Sequence, residues 1–140
     1  MTSEPGSEPL SVADYQALAA FHSALRVFLQ FSERAARSAG LTPAQHQLLL
    51  AIKGHSADGP PTLGKVAQQL ALKVHSASEL VDRAVANDLL VRIADPADLR
   101  LVLLKLTPLG EQYLDALSRM HRDEVRRFRQ TMAEVLDPLG

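Results

Sequence analysis

The chain has no cysteine and no tryptophan, and only 4% of its 140 residues are aromatic. Without thiols there is no disulfide, no thiolate redox sensor and no cysteine-held metal, a pattern expected of a cytoplasmic protein. No segment approaches the ~18 apolar residues that a membrane-crossing helix needs, so no membrane partner is expected. Neither sign of charge dominates, since 15 basic and 16 acidic residues leave a net charge of −1. A broadly basic surface for phosphate neutralisation is therefore excluded, and any contact with nucleic acid has to be local. Enzyme signatures are missing as well: there is no G-x-S-x-G, P-loop, H-E-x-x-H or glycine-rich dinucleotide turn. His46, His55 and His121 lack metal-ligand spacing. Neither a cofactor, a bound metal nor a catalytic role is expected.

What the chain does have is the composition of a folded domain, with 46% hydrophobic residues. Residues 1–10 are polar, with proline and glycine, and read as a flexible tail. From Ser11 to Ser38, Tyr15, Leu18, Phe21, Leu25, Phe28 and Leu29 recur at three- and four-residue steps, as on one face of a long helix. Gly40 stops it. Thr42-Pro-Ala-Gln45 then restarts a helix: threonine caps, proline suits the first turn, and Gln45 completes a capping box. Asp58-Gly-Pro-Pro61 reads as a loop.

The segment from Thr62 to Thr107 carries the densest information. Val66, Ala67, Leu70, Leu72, Ala77 and Leu80 have the spacing of two short helices crossing at a tight turn, with Ala67 small where they approach closest. Two β-like runs, Leu90–Ala94 and Leu101–Leu106, flank a turn containing Pro96 and two aspartates. Thr107-Pro108 opens a final helix whose apolar positions run from Leu109 to Val135. Helix, turn, helix and hairpin in this order predict a mainly α winged helix-turn-helix with a small β-hairpin. The lobe is expected over residues 41–107, with 11–38 and 108–140 as a helical dimerisation region. The two terminal arms hold more apolar surface than the lobe can cover, which predicts a homodimer.

In Leu80-Val-Asp-Arg83, Leu89-Leu-Val-Arg92, Asp95-Pro-Ala-Asp98, Arg100, Leu103-Leu-Lys-Leu-Thr107 and Gly110, the chain resembles the MarR family of winged helix-turn-helix transcriptional regulators. The resemblance implies a cytoplasmic homodimer that binds double-stranded DNA at pseudo-palindromic operators, most often as a repressor. It also implies release by a small aromatic or phenolic effector in a cleft between the dimer helices and the lobe. By resemblance, Arg100 is the wing-tip arginine of the minor groove and Asp98 the acid that steadies it. Asp88 stands where the family favours glycine, Lys73 where a capping Ser or Asn is common, and Leu99 where a second arginine is frequent. Glu79 replaces a basic or polar contact residue.

Individual side chains carry competing readings. Lys73, His75, Ser76 and Ser78 lie early in the expected recognition helix, where they can reach phosphates or base edges. Alternatively, Ser76-Ala-Ser-Glu79 is itself a capping box. Thr62 and Lys65 open the supporting helix and can hold a phosphate, or simply cap it. Arg100 can enter a minor groove or pair with Asp95 or Asp98. Arg83 and Arg92, which match family positions, can reach DNA or pair with acids inside the lobe, and the pairing is the expectation. Tyr15, His22 and Arg26 form a candidate site for a carboxylate or phenol on the first helix, although a histidine on such a face is more often an interface residue. Arg119 to Arg129 reads as a solvated helix with i,i+4 pairs. The competing function is a winged-helix protein-interaction module without DNA binding, motivated by Glu79 and the weak charge: residues 62–107 hold six basic and five acidic residues.

Overall fold

The computed structural model describes residue 6, residues 8–55 and residues 59–140. Asp58 of the expected loop and most of the expected tail lie outside the described residues. The elements follow in the order α1 (Val12–Ser38), α2 (Pro43–Lys53), α3 (Leu63–Gln69), α4 (Val74–Ala86), β1 (Leu90–Ala94), β2 (Val102–Leu106) and α5 (Pro108–Leu136). This is the mainly α, winged helix-turn-helix class with one hairpin that the hydrophobic pattern predicts. No described helix is long and apolar enough to cross a membrane.

Local chemistry sets the helix ends. At the start of α1, the Asp14 N–H donates to Ser11 Oγ at 3.1 Å and the Ser11 N–H donates to Asp14 Oδ2 at 2.9 Å. The same reciprocal cap begins α2, where Thr42 and Gln45 exchange two bonds of 3.1 Å. At their C-termini, α1, α3 and α4 share one device. A residue just beyond each helix sits in the left-handed region: Gly40 at φ +87°, Ala71 at +54° and Asp88 at +61°. A leucine follows each time, and its N–H returns 2.9 Å to the third-last carbonyl, as Leu41 to Ala36, Leu72 to Ala67 and Leu89 to Ala84. Leu41 and Leu89 are buried, whereas Leu72, expected among the packed residues of the crossing, stays exposed.

Alanine is the misfit in that trio. Its Cβ in the left-handed region costs about 1–2 kcal/mol, partly offset because glycine has more freedom to lose on folding. Ala71→Gly is therefore expected to stabilise the chain by about 0.5–1 kcal/mol and raise the melting temperature by a few degrees. A thermal scan showing no rise would contradict this account of the turn.

The chain divides into two compact units, with boundaries that fall within α1 and α5. The larger spans Glu33–Met120 and holds the lobe. Its core is built from Leu48 and Leu49 of α2, Val66 of α3, Val81 of α4, Leu90, Leu104, and Leu117 of α5, all essentially inaccessible. Ala67 and Ala77 are buried in the helix-turn-helix, as the small-residue crossing requires. β1 and β2 pair antiparallel, with Leu90 opposite Leu106 and Ala94 opposite Val102. Only Leu90 of β1 is buried, so the hairpin is rooted at its base and projects. A third strand-like contact joins it: Thr62 bridges to Leu103, and the Leu104 N–H donates 2.9 Å to the Pro61 carbonyl.

The other unit joins α1 up to Ser32 with His121–Gly140. Phe28 packs on Phe128 with ring centres 5.1 Å apart, and Phe31 meets His121 edge-on at 5.4 Å. Ser32 Oγ lies 2.9 Å from His121 Nε2. Along α5, Arg119 pairs with Asp115 at the expected i,i+4 spacing, whereas Arg127 pairs with Glu124 at i,i+3.

Candidate nucleic-acid interface

α4 is a recognition helix in shape. Its inner face, Ala77, Leu80, Val81 and Ala84, is buried, and the opposite face is mostly exposed. Lys73, His75 and Ser76 are exposed at its N-terminal end, and Ser78 is half-buried at the side. The helix begins at Val74 with Lys73 as N-cap, and no side chain caps it. That corrects the capping-box alternative for Ser76-Ala-Ser-Glu79: these four residues lie inside the helix, where Ser76 cannot cap. His75 Nε2 instead lies 3.2 Å from Glu79 Oε1, an i,i+4 contact on the outer face. Glu79 thus places an acid beside the imidazole that the sequence points to for base or phosphate contact.

Thr62 and Lys65 sit on the preceding helix. Thr62 Oγ1 accepts the Lys65 N–H at 3.2 Å, which is the capping role. The Lys65 side chain is exposed. Because Thr62 also bridges to β2, the start of α3 is fixed relative to the hairpin.

The hairpin tip carries a dense set of polar contacts. Residues Asp98 to Leu101 form a turn closed by the Leu101 N–H donating to the Asp98 carbonyl at 3.0 Å. Asp98 Oδ1 accepts the Arg100 backbone N–H at 3.1 Å and Nε–H at 2.9 Å, while Oδ2 accepts from Nη2 at 3.0 Å. One carboxylate therefore fixes both the turn and the guanidinium. The fork leaves the arginine side chain 90% exposed, so the pairing aims the cation outward. The hydrogen bonds from Arg100 hold the Asp98 carboxyl below the usual carboxylate range, and Asp98 in turn raises Arg100. The two readings of Arg100 are thus compatible, and the intramolecular partner is Asp98.

Arg92 of β1 pairs with Asp82 of α4, the expected intra-lobe role. Arg83 departs from that expectation: it is exposed and forms no ion pair among the described residues. Lys53 of α2 reaches Glu111 of α5 at 2.9 Å, a long-range tie that no local sequence pattern signals.

Tyr15, His22 and Arg26 follow one another at helical spacing on α1, and all three are exposed. Phe21 meets the His22 ring edge-on at 5.4 Å. They line neither of two larger concavities. One, of about 310 Å³, lies between α1 and α5 against Val27, Phe28 and Phe128 and is bordered by the Glu124–Arg127 pair. The other, about 380 Å³, is formed by Ala39, Leu109, Gln112, Tyr113 and Ala116. Gln112 and Tyr113, which sequence reasoning did not single out, are its polar groups. Among the described residues no cluster of three or more His, Asp or Glu side chains is placed to hold a metal.

A buried-faced helix after a tight turn, with a braced hairpin beside it, defines the fold as a winged helix-turn-helix. The sequence pattern of the MarR family matches residues 39–101. The chain is 30% identical over 105 residues to YkoM of Bacillus subtilis, an uncharacterized HTH-type transcriptional regulator, covering 73% of this chain and 66% of that protein. The curated relatives are matched over 47% to 66% of their own length. Similar folds include AbsC, a MarR family transcriptional regulator from Streptomyces coelicolor, with TM-score 0.73, 18% identity and 95% of each chain covered. Another is a point mutant of S. aureus MepR bound to an oligodeoxyribonucleotide, with TM-score 0.68, 18% identity, and 88% and 97% covered. Residues 39–101 thus carry the pattern of the MarR family, a family of regulators rather than enzymes.

Proposed function

We propose that the chain binds double-stranded DNA as a homodimer and represses transcription from a pseudo-palindromic operator. The single observation that carries the reading is the braced, outward-aimed guanidinium of Arg100 at the tip of a hairpin rooted in the lobe. A cation held in one geometry suits a narrow minor groove, where the negative potential is focused. The exposed face of α4 then supplies His75 and Ser76 to the major groove, with Ser78 at its side, and Lys73 and Lys65 supply charge to phosphates. The same-fold MepR mutant bound to an oligodeoxyribonucleotide supports this use of the architecture.

Exposed Val12, Tyr15, Leu18, Val27 and Val125 on the two-helix unit support dimerisation, since a lone chain leaves this apolar surface in water. Two lobes related by a two-fold axis would address half-sites about 34 Å apart. A small aromatic or phenolic effector is the third part of the reading, with Tyr15, His22 and Arg26 as its candidate contacts.

The test is selection of genomic fragments on the purified chain, followed by binding to the enriched duplex across a salt series. Enriched palindromes and a log–log slope of several units are expected. A chain that retains no duplex at about 50 mM salt is a protein-interaction module instead, the reading that the His75–Glu79 contact favours. Light scattering at micromolar concentration is expected to give the dimer mass.

A further inference from the structure

The hairpin tip pairs its cation with an apolar side chain that has no structural role. Leu99 and Arg100 are the two corner residues of the turn closed between Asp98 and Leu101. Corners of such turns favour polar residues, glycine or proline, which lose nothing by facing water. Leu99 is 79% exposed, the highest value for any large hydrophobic residue described. Neither corner residue has a positive φ, so the turn is unstrained and a polar residue would serve it equally well. The tip is also braced by hydrogen bonds: the Ala97 N–H donates to Asp95 Oδ1 at 2.9 Å, and Asp98 Oδ1 accepts from Arg100 Nε at 2.9 Å. A single exposed leucine is ordinary on a protein surface. One held on a hydrogen-bonded turn, directly beside a guanidinium braced by Asp98 at the tip of a hairpin, is a tool of two parts.

We propose that Leu99 is a minor-groove wedge: when Arg100 enters the groove, Leu99 presses between adjacent base pairs, partly unstacks them and bends the duplex. The proposal rests on the DNA-binding reading and deepens it by naming what kind of contact the wing makes. The two corners divide the work by chemistry. The guanidinium is attracted by the groove potential and holds position, while the leucine has no hydrogen bond to offer and gains only by leaving water for the stacked bases. Partial unstacking is least costly at pyrimidine–purine steps, so the wedge selects TA or CA steps at the flank of each half-site without a base-specific hydrogen bond. Specificity by deformation also suits a recognition helix whose outer face carries Glu79 beside His75.

The full-length chain and its Leu99→Ala and Leu99→Arg variants are compared on the selected operator duplex. Donor and acceptor dyes at the ends report bending, and 2-aminopurine at the flanking step reports unstacking. The wild type is expected to shorten the end-to-end distance and brighten 2-aminopurine. Leu99→Ala is expected to abolish both signals and weaken binding about tenfold, with an unchanged salt slope because no phosphate contact is lost. Leu99→Arg is expected to restore affinity with a steeper slope while the duplex stays straight. Both variants lie on an exposed turn, and unchanged melting temperatures confirm that they fold. Leu99→Ala that binds and bends like the wild type overturns the wedge while leaving DNA binding intact. A wild type that retains no duplex overturns the DNA reading and the wedge with it.

Discussion

Gly110→Ala is expected to destabilise the chain by about 2–3 kcal/mol, although alanine is the better helix former by about 1 kcal/mol. A Cβ built on Gly110 would stand 2.3 Å from the Leu89 carbonyl oxygen and 3.2 Å from its carbon. Neither partner can yield easily. The Leu89 carbonyl accepts the Thr107 N–H at 3.1 Å, and Thr107 Oγ1 donates to the Asp88 carbonyl at 2.6 Å while accepting the Gly110 N–H at 3.0 Å. These hydrogen bonds weld the end of α4 to the start of α5, and the methyl group enters the middle of the weld. Relief requires sliding α5 away from Leu89, which opens the core around Leu90 and Leu106. Gly64→Ala is the matched control, because a Cβ there meets nothing closer than Thr62 Oγ1 at 4.0 Å. A thermal scan is expected to place Gly110→Ala about 10 °C below the wild type and Gly64→Ala at or slightly above it. Equal melting temperatures for the two would show that the α4–α5 junction has slack.

That junction also marks how far the sequence can be read. Signals acting over three or four residues are legible, because a cap or a stop is a local bargain between a side chain and a few backbone groups. Thr42 with Gln45, Gly40, and the left-handed Asp88 all behave as their residue types imply. The same locality misleads at Ser76–Glu79, a capping pattern that falls inside α4 because the crossing of α3 and α4 lets the helix start at an uncapped Lys73. Contacts between distant residues leave no trace in the chain. The Thr62–Leu103 bridge, the Lys53–Glu111 pair and the clash that forbids a side chain at Gly110 depend on which segments meet in space.

The candidate interface divides along the same line. Asp98 and Arg100 are two residues apart, so their fork follows from a turn, and the family resemblance pairs them too. Arg92 and Asp82 are ten residues apart and meet only because β1 packs beside α4. The effector trio illustrates the remaining limit. Helical spacing shows that Tyr15, His22 and Arg26 share a face of α1, but whether a face lines a cavity depends on what covers it.

Arg100→Ala is expected to weaken operator binding at least tenfold per wing and to lower the salt slope by about one per wing. The magnitude follows from what the side chain gives up. Its guanidinium is already ordered by two bonds to Asp98, so little rotamer entropy remains to be lost on entering the groove. Asp98→Asn separates that pre-organisation from the charge itself. The amide oxygen can still accept the Arg100 backbone N–H and keep the turn, but the second charged acceptor is gone. Binding is expected to weaken about threefold, with the slope unchanged because the groove-facing cation remains. The pH dependence has a defined sign. The Asp98 carboxyl is held below its ordinary value, so the brace is fully present above about pH 4 and is lost as pH falls through the lowered value. The ratio of wild-type to Asp98→Asn affinity is therefore expected to be constant between about pH 6 and pH 8. A ratio that collapses within that window would mean that a group other than Asp98 aims the arginine. If Asp98→Asn binds more tightly than the wild type, the carboxylate acts chiefly as a repulsive charge at the DNA surface rather than as a brace.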